Sequence, residues 1–140
     1  FLTPEDAALV NLPEVETFLR SPLFAKMRAA KRIFREQRFN LRLCAADFAT
    51  DRDLRAALAD EHILVQGVID CFFYDEKGNI ILVDYKTDRL HGGRAEAEQE
   101  LRQKHARQLG YYAKAVEALC GKPPACVLLY SLALGGTVAL

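Results

Sequence analysis

Asp70, Asp84 and Lys86 are the residues whose types and spacing point to chemistry. Asp70 lies in an apolar run at 63–74, and Asp84 and Lys86 lie in a second at 80–86. Between them, Asp75-Glu76-Lys77-Gly78-Asn79 reads as a hairpin connection, with Gly78 at the left-handed last position of a three-residue loop. Such a loop sets the register. Asp75 faces Asn79, Tyr74 faces Ile80, Phe72 faces Leu82 and Asp70 faces Asp84, with Lys86 two residues further along the same face. Two carboxylates then stand with β-carbons roughly 5 Å apart. Val68, Phe72 and Leu82, their expected neighbours, offer no hydrogen bonds. At an effective dielectric of about 20 the pair repels by roughly 3 kcal/mol, and desolvation adds to the cost. Lys86 alone cannot neutralise two anions, whereas a divalent cation can. Oxygen donors favour Mg²⁺ or Mn²⁺ over zinc. Metal, carboxylates and lysine together suggest phosphodiester hydrolysis. The ion would polarise a phosphoryl oxygen and acidify its bound water, while Lys86 would orient that water or stabilise transition-state charge. The competing reading is a buried ion-pair cluster without catalysis, and a one-residue register slip would separate the aspartates.

The elements that must hold these residues are legible in part. Thr3-Pro4-Glu5 has the form of a helix start, an N-cap followed by proline. Residues 13–20 carry Val15, Phe18 and Leu19 at helical spacing. Ser21-Pro22 repeats the cap signal and opens a helix running towards Ile33 that buries Phe24 and Met27. From Arg38 the period becomes two, with Phe39, Leu41 and Leu43 inward, which predicts a half-buried strand. Residues 45–61 read as a connection with a short helix near 53–58. Both faces of the hairpin are apolar, so the sheet is expected to be covered on each side. A long helix follows over about 95–120, its inward stripe Leu101, His105, Leu109, Tyr112, Val116 and Leu119. Gly121 ends it, with Pro123 and Pro124 beyond. Residues 126–134 read as a strand and Gly135-Gly136 turns into a last short one. Helices, three strands, a long helix and a strand make an α/β sandwich in one domain over 1–140.

Bulk properties narrow the function. The 140 residues are 51% hydrophobic and 27% charged, enough for a core and ordinary for a folded domain. With 19 basic and 19 acidic residues the net charge is zero, which argues against a uniformly basic nucleic-acid coat. No apolar run approaches membrane length, no secretory signal opens the chain, and no Walker A sequence predicts ATP binding. Cys44, Cys71, Cys120 and Cys126 form no C-x-x-C pair, so neither zinc nor an iron–sulfur cluster is expected. They read as reduced thiols of a cytoplasmic protein. The chain opens with Phe1 rather than methionine and reads as part of something longer.

These residues resemble a known family. Gly67-Val68-Ile69-Asp70 followed by Asp84-Tyr85-Lys86-Thr87-Asp88 is similar to the PD-(D/E)xK nuclease signature in its RecB-like form. Gln108-Leu109-Gly110-Tyr111-Tyr112 matches that group's Q-x-x-x-Y motif. Arg35-Glu36-Gln37-Arg38-Phe39 is similar to the R-E-x-P-F segment of AddA-type subunits, with Arg38 in place of proline. The resemblance spans about residues 12–140. It implies a restriction-endonuclease-like three-layer core with a mixed sheet flanked by helices, and a metal-dependent DNA nuclease domain. That domain would serve double-strand-break resection and recombinational repair, downstream of helicase domains in the same chain and beside a second nuclease/helicase subunit. Asp70, Asp84 and the Tyr85 carbonyl would hold the metal. Gln108 and Tyr112, four apart on one helical face, would meet DNA, here single strands delivered by the motor. The competing reading for that pair is packing, with Tyr112 in the core and Gln108 at its edge. Lys104, with Arg102, Arg107 and Lys114, would meet phosphates or form an ordinary solvated face. His105 is expected to be a satisfied core histidine, and Glu36 either an acid behind the metal ligands or a salt-bridge partner. RecB-like nucleases carry a further ligand, usually histidine, on a helix before the first strand. No histidine precedes Phe39, and Glu14, Glu16 and Glu36 are the nearest alternatives. The expectation is that the chain begins after that helix and binds Mg²⁺ weakly. The rival readings are a phage-type exonuclease or resolvase of the same fold, and an inactivated DNA-binding or assembly module.

Overall fold

The computed structural model describes Thr3, Glu5 and residues 10–140. Of the helix start read at Thr3-Pro4-Glu5, Glu5 is helical, while Pro4 and residues 6–9 lie outside the described residues. From residue 10 onward, helices α1 (Leu12–Leu19) and α2 (Pro22–Arg28) come first, the second capped by the Ser21 hydroxyl, which accepts from the Phe24 N–H. Strand β1 (Arg32–Cys44), a 3-10 turn (Ala45–Phe48) and the short α3 (Arg52–Ala57) follow, with the Asp51 carboxylate capping α3. Then come β2 (His62–Tyr74), β3 (Ile80–Lys86), α4 (Arg94–Cys120), β4 (Cys126–Ser131) and β5 (Gly136–Ala139). Among the described residues the sheet has five strands in sequence order, parallel only between β3 and β4, and antiparallel elsewhere. It is the mixed sheet with helices that the resemblance implied. The parallel step requires a crossover, and α4 supplies it.

Helix α4 covers one face, packing Leu101, Leu109, Ala115 and Val116 onto Phe72, Ile80, Leu82 and Leu129. The other face holds Cys71, Phe73, Val83 and Tyr130 under Leu23, Met27 and Phe18. Leu119, expected inward, is 52% exposed. The 3.6-residue period has carried it off the buried stripe, which Ala97 and Ala115 help to fill instead. Phe24 is only half-buried, and Leu23 takes its place beside Met27. Gly121 ends α4 at φ 75, a conformation that suits glycine, and its N–H donates to the Glu117 carbonyl.

The largest departure from the sequence reading is at β1. The helix expected to reach Ile33 stops at Arg28, and the strand expected from Arg38 begins at Arg32. Pairing runs unbroken in register from Arg32 opposite Tyr74 to Cys44 opposite His62, except at Glu36 and Asp70. Glu36 has φ 50. On its N-terminal side Phe34 packs on the α4 face; beyond it Phe39, Leu41 and Leu43 do, an odd step away. β2 makes the matching change, with Val65 and Ile69 on that face before Asp70 and Phe72 and Tyr74 after it. Two strands therefore exchange faces together at one cross-strand position. Strict alternation fails there, which hid the first half of β1.

A left-handed non-glycine residue costs about 1–2 kcal/mol, more than the roughly 0.5–1 kcal/mol that mid-strand glycine costs. Glu36→Gly is therefore expected to hold or raise the melting temperature. A clear fall in thermal unfolding would show that the Glu36 side chain itself stabilises the kink.

Candidate active site

The hairpin forms as its sequence dictates. Asp75 N–H donates to the Asn79 carbonyl at 2.9 Å, the Asp75 carboxylate accepts from the Lys77 and Asn79 N–H groups, and Gly78 sits at φ 83. Tyr74 pairs with Ile80, Phe72 with Leu82 and Cys71 with Val83. The ladder stops there. One step on, the Asp70 carboxylate accepts the Tyr85 N–H at 3.0 Å. It lines a cavity of about 450 Å³ with Val15 and Phe18 of α1 and with Arg35, Glu36, Tyr85 and Leu132. Val68, expected beside it on the apolar face, is 37% exposed. The expectation that both aspartates stand over one apolar face is thus corrected. The face exchange at Glu36 and Asp70 turns Asp70 into the split between β2 and β3, while Asp84 and Lys86 stay on the α4 side.

Asp84 is 1% exposed, and its Oδ2 lies 2.7 Å from Lys86 Nζ. The pair is a close, buried ion contact, and Lys86 is the cation that faces Asp84 Oδ2. Burial pushes the Asp84 carboxyl up; Lys86 opposes this, the Asp70 charge adds to it, and His105 opposes it weakly. Lys86 Nζ donates to Gln108 Oε1 at 2.9 Å, and Gln108 Nε2 donates to the Tyr112 hydroxyl at 2.8 Å. One polar chain therefore runs from the buried carboxylate through the lysine to two residues of α4. Packing and this chain both act on Tyr112, whose ring meets Phe39 edge-on at 5.7 Å.

Asp88, given no role from sequence, holds Lys104 by an ion pair and His105 Nε2 at 3.1 Å. Lys104 comes first in keeping the Asp88 carboxyl below its usual value, and His105 assists. His105 is thus a satisfied histidine of the half-buried stripe. The signal for Asp88 was its place just past β3, opposite the first half of α4. Arg102 donates to the Ala139 carbonyl and pairs with Glu98, so it ties α4 to β5 and is not a free phosphate contact. Glu36 is exposed and shares the Asp70 cavity.

Among the described residues no three acidic, histidine or cysteine side chains converge into a complete metal cage. Two nearby carboxylates, Asp70 and the buried Asp84, still fit a hard cation that keeps several waters.

The matches to known proteins agree with this geometry. Residues 7–135 match the family model of the PD-(D/E)XK nuclease superfamily. The chain belongs to that superfamily, whose fold accounts for the mixed sheet and whose members generally use divalent metal ions. It is 40% identical over 121 residues to the A subunit of an ATP-dependent helicase/nuclease from Acetivibrio thermocellus, covering 86% of this chain and 9% of that one. Proteins of the same name from Clostridium beijerinckii (37% identical, 96% of this chain, 11% of theirs) and Heliobacterium modesticaldum (36%, 99% and 10%) are similar along nearly the whole length. The chain spans about a tenth of the length of these relatives.

Proposed function

We propose that this chain is the C-terminal nuclease domain of an AddA-type helicase–nuclease subunit, hydrolysing DNA phosphodiester bonds during ATP-dependent resection of double-strand breaks. The observation that carries the reading is Asp84, a buried carboxylate near the Asp70 charge with one lysine, Lys86, at 2.7 Å. Stability alone is a poor reason for this arrangement, because burying a carboxylate near a second one is costly and one lysine does not neutralise both. Asp70, Asp84 and the Tyr85 carbonyl would hold Mg²⁺ or Mn²⁺, which when bound supplies an acidified water and polarises the phosphoryl oxygen. Lys86 is held by Asp84 and Gln108 where its ammonium can meet charge developing on the phosphate. Gln108 fixes the lysine and, with Tyr112, presents polar groups to the strand beside the scissile bond.

The similar proteins, named for helicase and nuclease functions, support a helicase motor in the same polypeptide and, as partner, a second nuclease/helicase subunit. Resection of chromosomal breaks would place the domain in the cytoplasm. No helix among the described residues is long and apolar enough to cross a membrane.

The test is cleavage of linear and single-stranded DNA by the complete protein, with Mg²⁺, with Mn²⁺ and in EDTA. Cleavage should require a divalent ion and be lost in Asp70→Asn. Metal-independent cleavage, or full activity in that variant, would refute the reading.

A further inference from the structure

A second cavity, of about 460 Å³, lies between α4 and the β1–β2 ladder. It is lined by Phe39, Val65, Gln66, Gly67, Lys104, Arg107, Gln108, Tyr111 and Tyr112. The size falls in the roughly 300–1,000 Å³ range of small-molecule sites. Its helical wall is one stripe: positions 104, 107, 108, 111 and 112 follow the 3–4 spacing of a single α4 face. Gln108 belongs to this wall and also holds Lys86, so the cavity adjoins the candidate active site.

The floor is built to stay low. Phe39 and Gly67 are direct partners in the β1–β2 register. A β-carbon on Gly67 would sit 2.9 Å from the Phe39 ring, so any side chain there would crowd the ring and occupy the cavity that both residues line. Tyr111 stands on the opposite wall, and its ring lies 6.3 Å from that of Phe48, which is 45% exposed. Arg107 has no hydrogen-bond or ion-pair partner among the described residues. Lys104, by contrast, is engaged by Asp88.

We infer that this cavity is a subsite for an unstacked base of single-stranded DNA, with the base against Tyr111 and Arg107 on the adjoining phosphate. The inference rests on the nuclease reading for the nature of the polymer, and adds where the strand flanking the scissile bond is gripped. Aromatic walls accept any base, because every base has a π-face. A base inside a duplex is not available to them. The site therefore selects single strands without reading sequence, and the uncommitted guanidinium adds a salt-dependent phosphate contact.

Binding of a fluorescent oligonucleotide to the chain in EDTA, followed by anisotropy at low salt, tests this without cleavage. Tyr111→Ala should weaken binding of a single strand about tenfold, within the range for loss of one stacked base. Tyr111→Phe should retain it. A fully abasic oligonucleotide, which offers no base in any register, should bind the unaltered chain more weakly than the intact strand does, and Tyr111→Ala should weaken its binding no further. Gly67→Val should reproduce the Tyr111→Ala loss, and Arg107→Gln should flatten the salt dependence. Circular dichroism and melting separate unfolding from loss of contact, with Tyr111→Phe as the folded reference. Additive losses from Tyr111→Ala and the abasic strand, or duplex bound as tightly as single strand, would overturn the inference. Absence of metal-dependent cleavage with the anisotropy pattern intact would instead count against the nuclease reading alone.

Discussion

Lys86→Ala in the complete protein is expected to lower DNA cleavage by about 10²–10³-fold, the usual loss on removing one donor aimed at transition-state charge. ATP-driven strand separation should be largely unchanged, since these residues form a site of their own and carry no nucleotide-binding loop. Gln108→Ala should cost less, about 10-fold, as removal of a hydrogen bond behind a functional group commonly does. The geometry dictates the order of these effects. Lys86 Nζ is fixed between Asp84 Oδ2 at 2.7 Å and Gln108 Oε1 at 2.9 Å, so losing Gln108 frees the ammonium without removing it. Cleavage and unwinding should be measured on the same preparations. An equal fall in both activities for Lys86→Ala would mean that the Asp84–Lys86–Gln108 chain holds the domain together instead of serving chemistry.

Asp84→Asn should abolish the response to metal while making the metal-free fold more stable at neutral pH. The folded state holds the Asp84 proton more tightly than the unfolded state does, because burial, with the nearby Asp70 charge, outweighs the attraction of Lys86. In the window from the unfolded value, about 3.9, up to the raised folded value, the native state therefore binds more protons. Its stability accordingly falls as pH rises through that window. Asn keeps the shape of the neutral acid and removes that cost. Asp88 has the opposite sign: its contribution is present above the unfolded value and is lost as pH falls through its lowered folded value. The two can be told apart because only the Asp84 part disappears in Asp84→Asn. In the unaltered protein, a divalent ion at ten times its dissociation constant should stabilise by about 1.4 kcal/mol, or about 3–6 °C in melting temperature. The variant should show no such shift. Scanning calorimetry at several pH values with Mg²⁺, Mn²⁺ or EDTA measures both effects. If the variant melts lower without metal and still gains with it, Asp84 is neither strained nor a ligand.

Local chemistry wrote much of this protein into its sequence. The hairpin turn needed only Asp75, Gly78 and Asn79, and those residues bring Tyr74 to Ile80 and Phe72 to Leu82 as their spacing demands. Helix α4 was readable because its apolar period is sustained and Gly121 stops it. Asp70, Asp84 and Lys86 could be singled out because charged groups on apolar strands stand out against their neighbours, whereas Gln108 and Tyr112 came from the resemblance to the Q-x-x-x-Y motif. The tertiary structure alone decided where those groups point. Glu36 adopts a positive φ only because β1 is paired with β2 on both sides of it, and no propensity of the Arg35-Glu36-Gln37 segment encodes that pairing. The kink carries Phe34 and Phe39 to the same face across an odd spacing, which a period-two reading cannot follow. It also turns Asp70 out of the apolar face and onto the Tyr85 N–H. Likewise, Lys104 and Arg107 look alike along the helix, yet Asp88 engages one and leaves the other free to bind. Side-chain partners drawn from distant strands follow from the packing of the layers, and periodicity along one element carries no record of them.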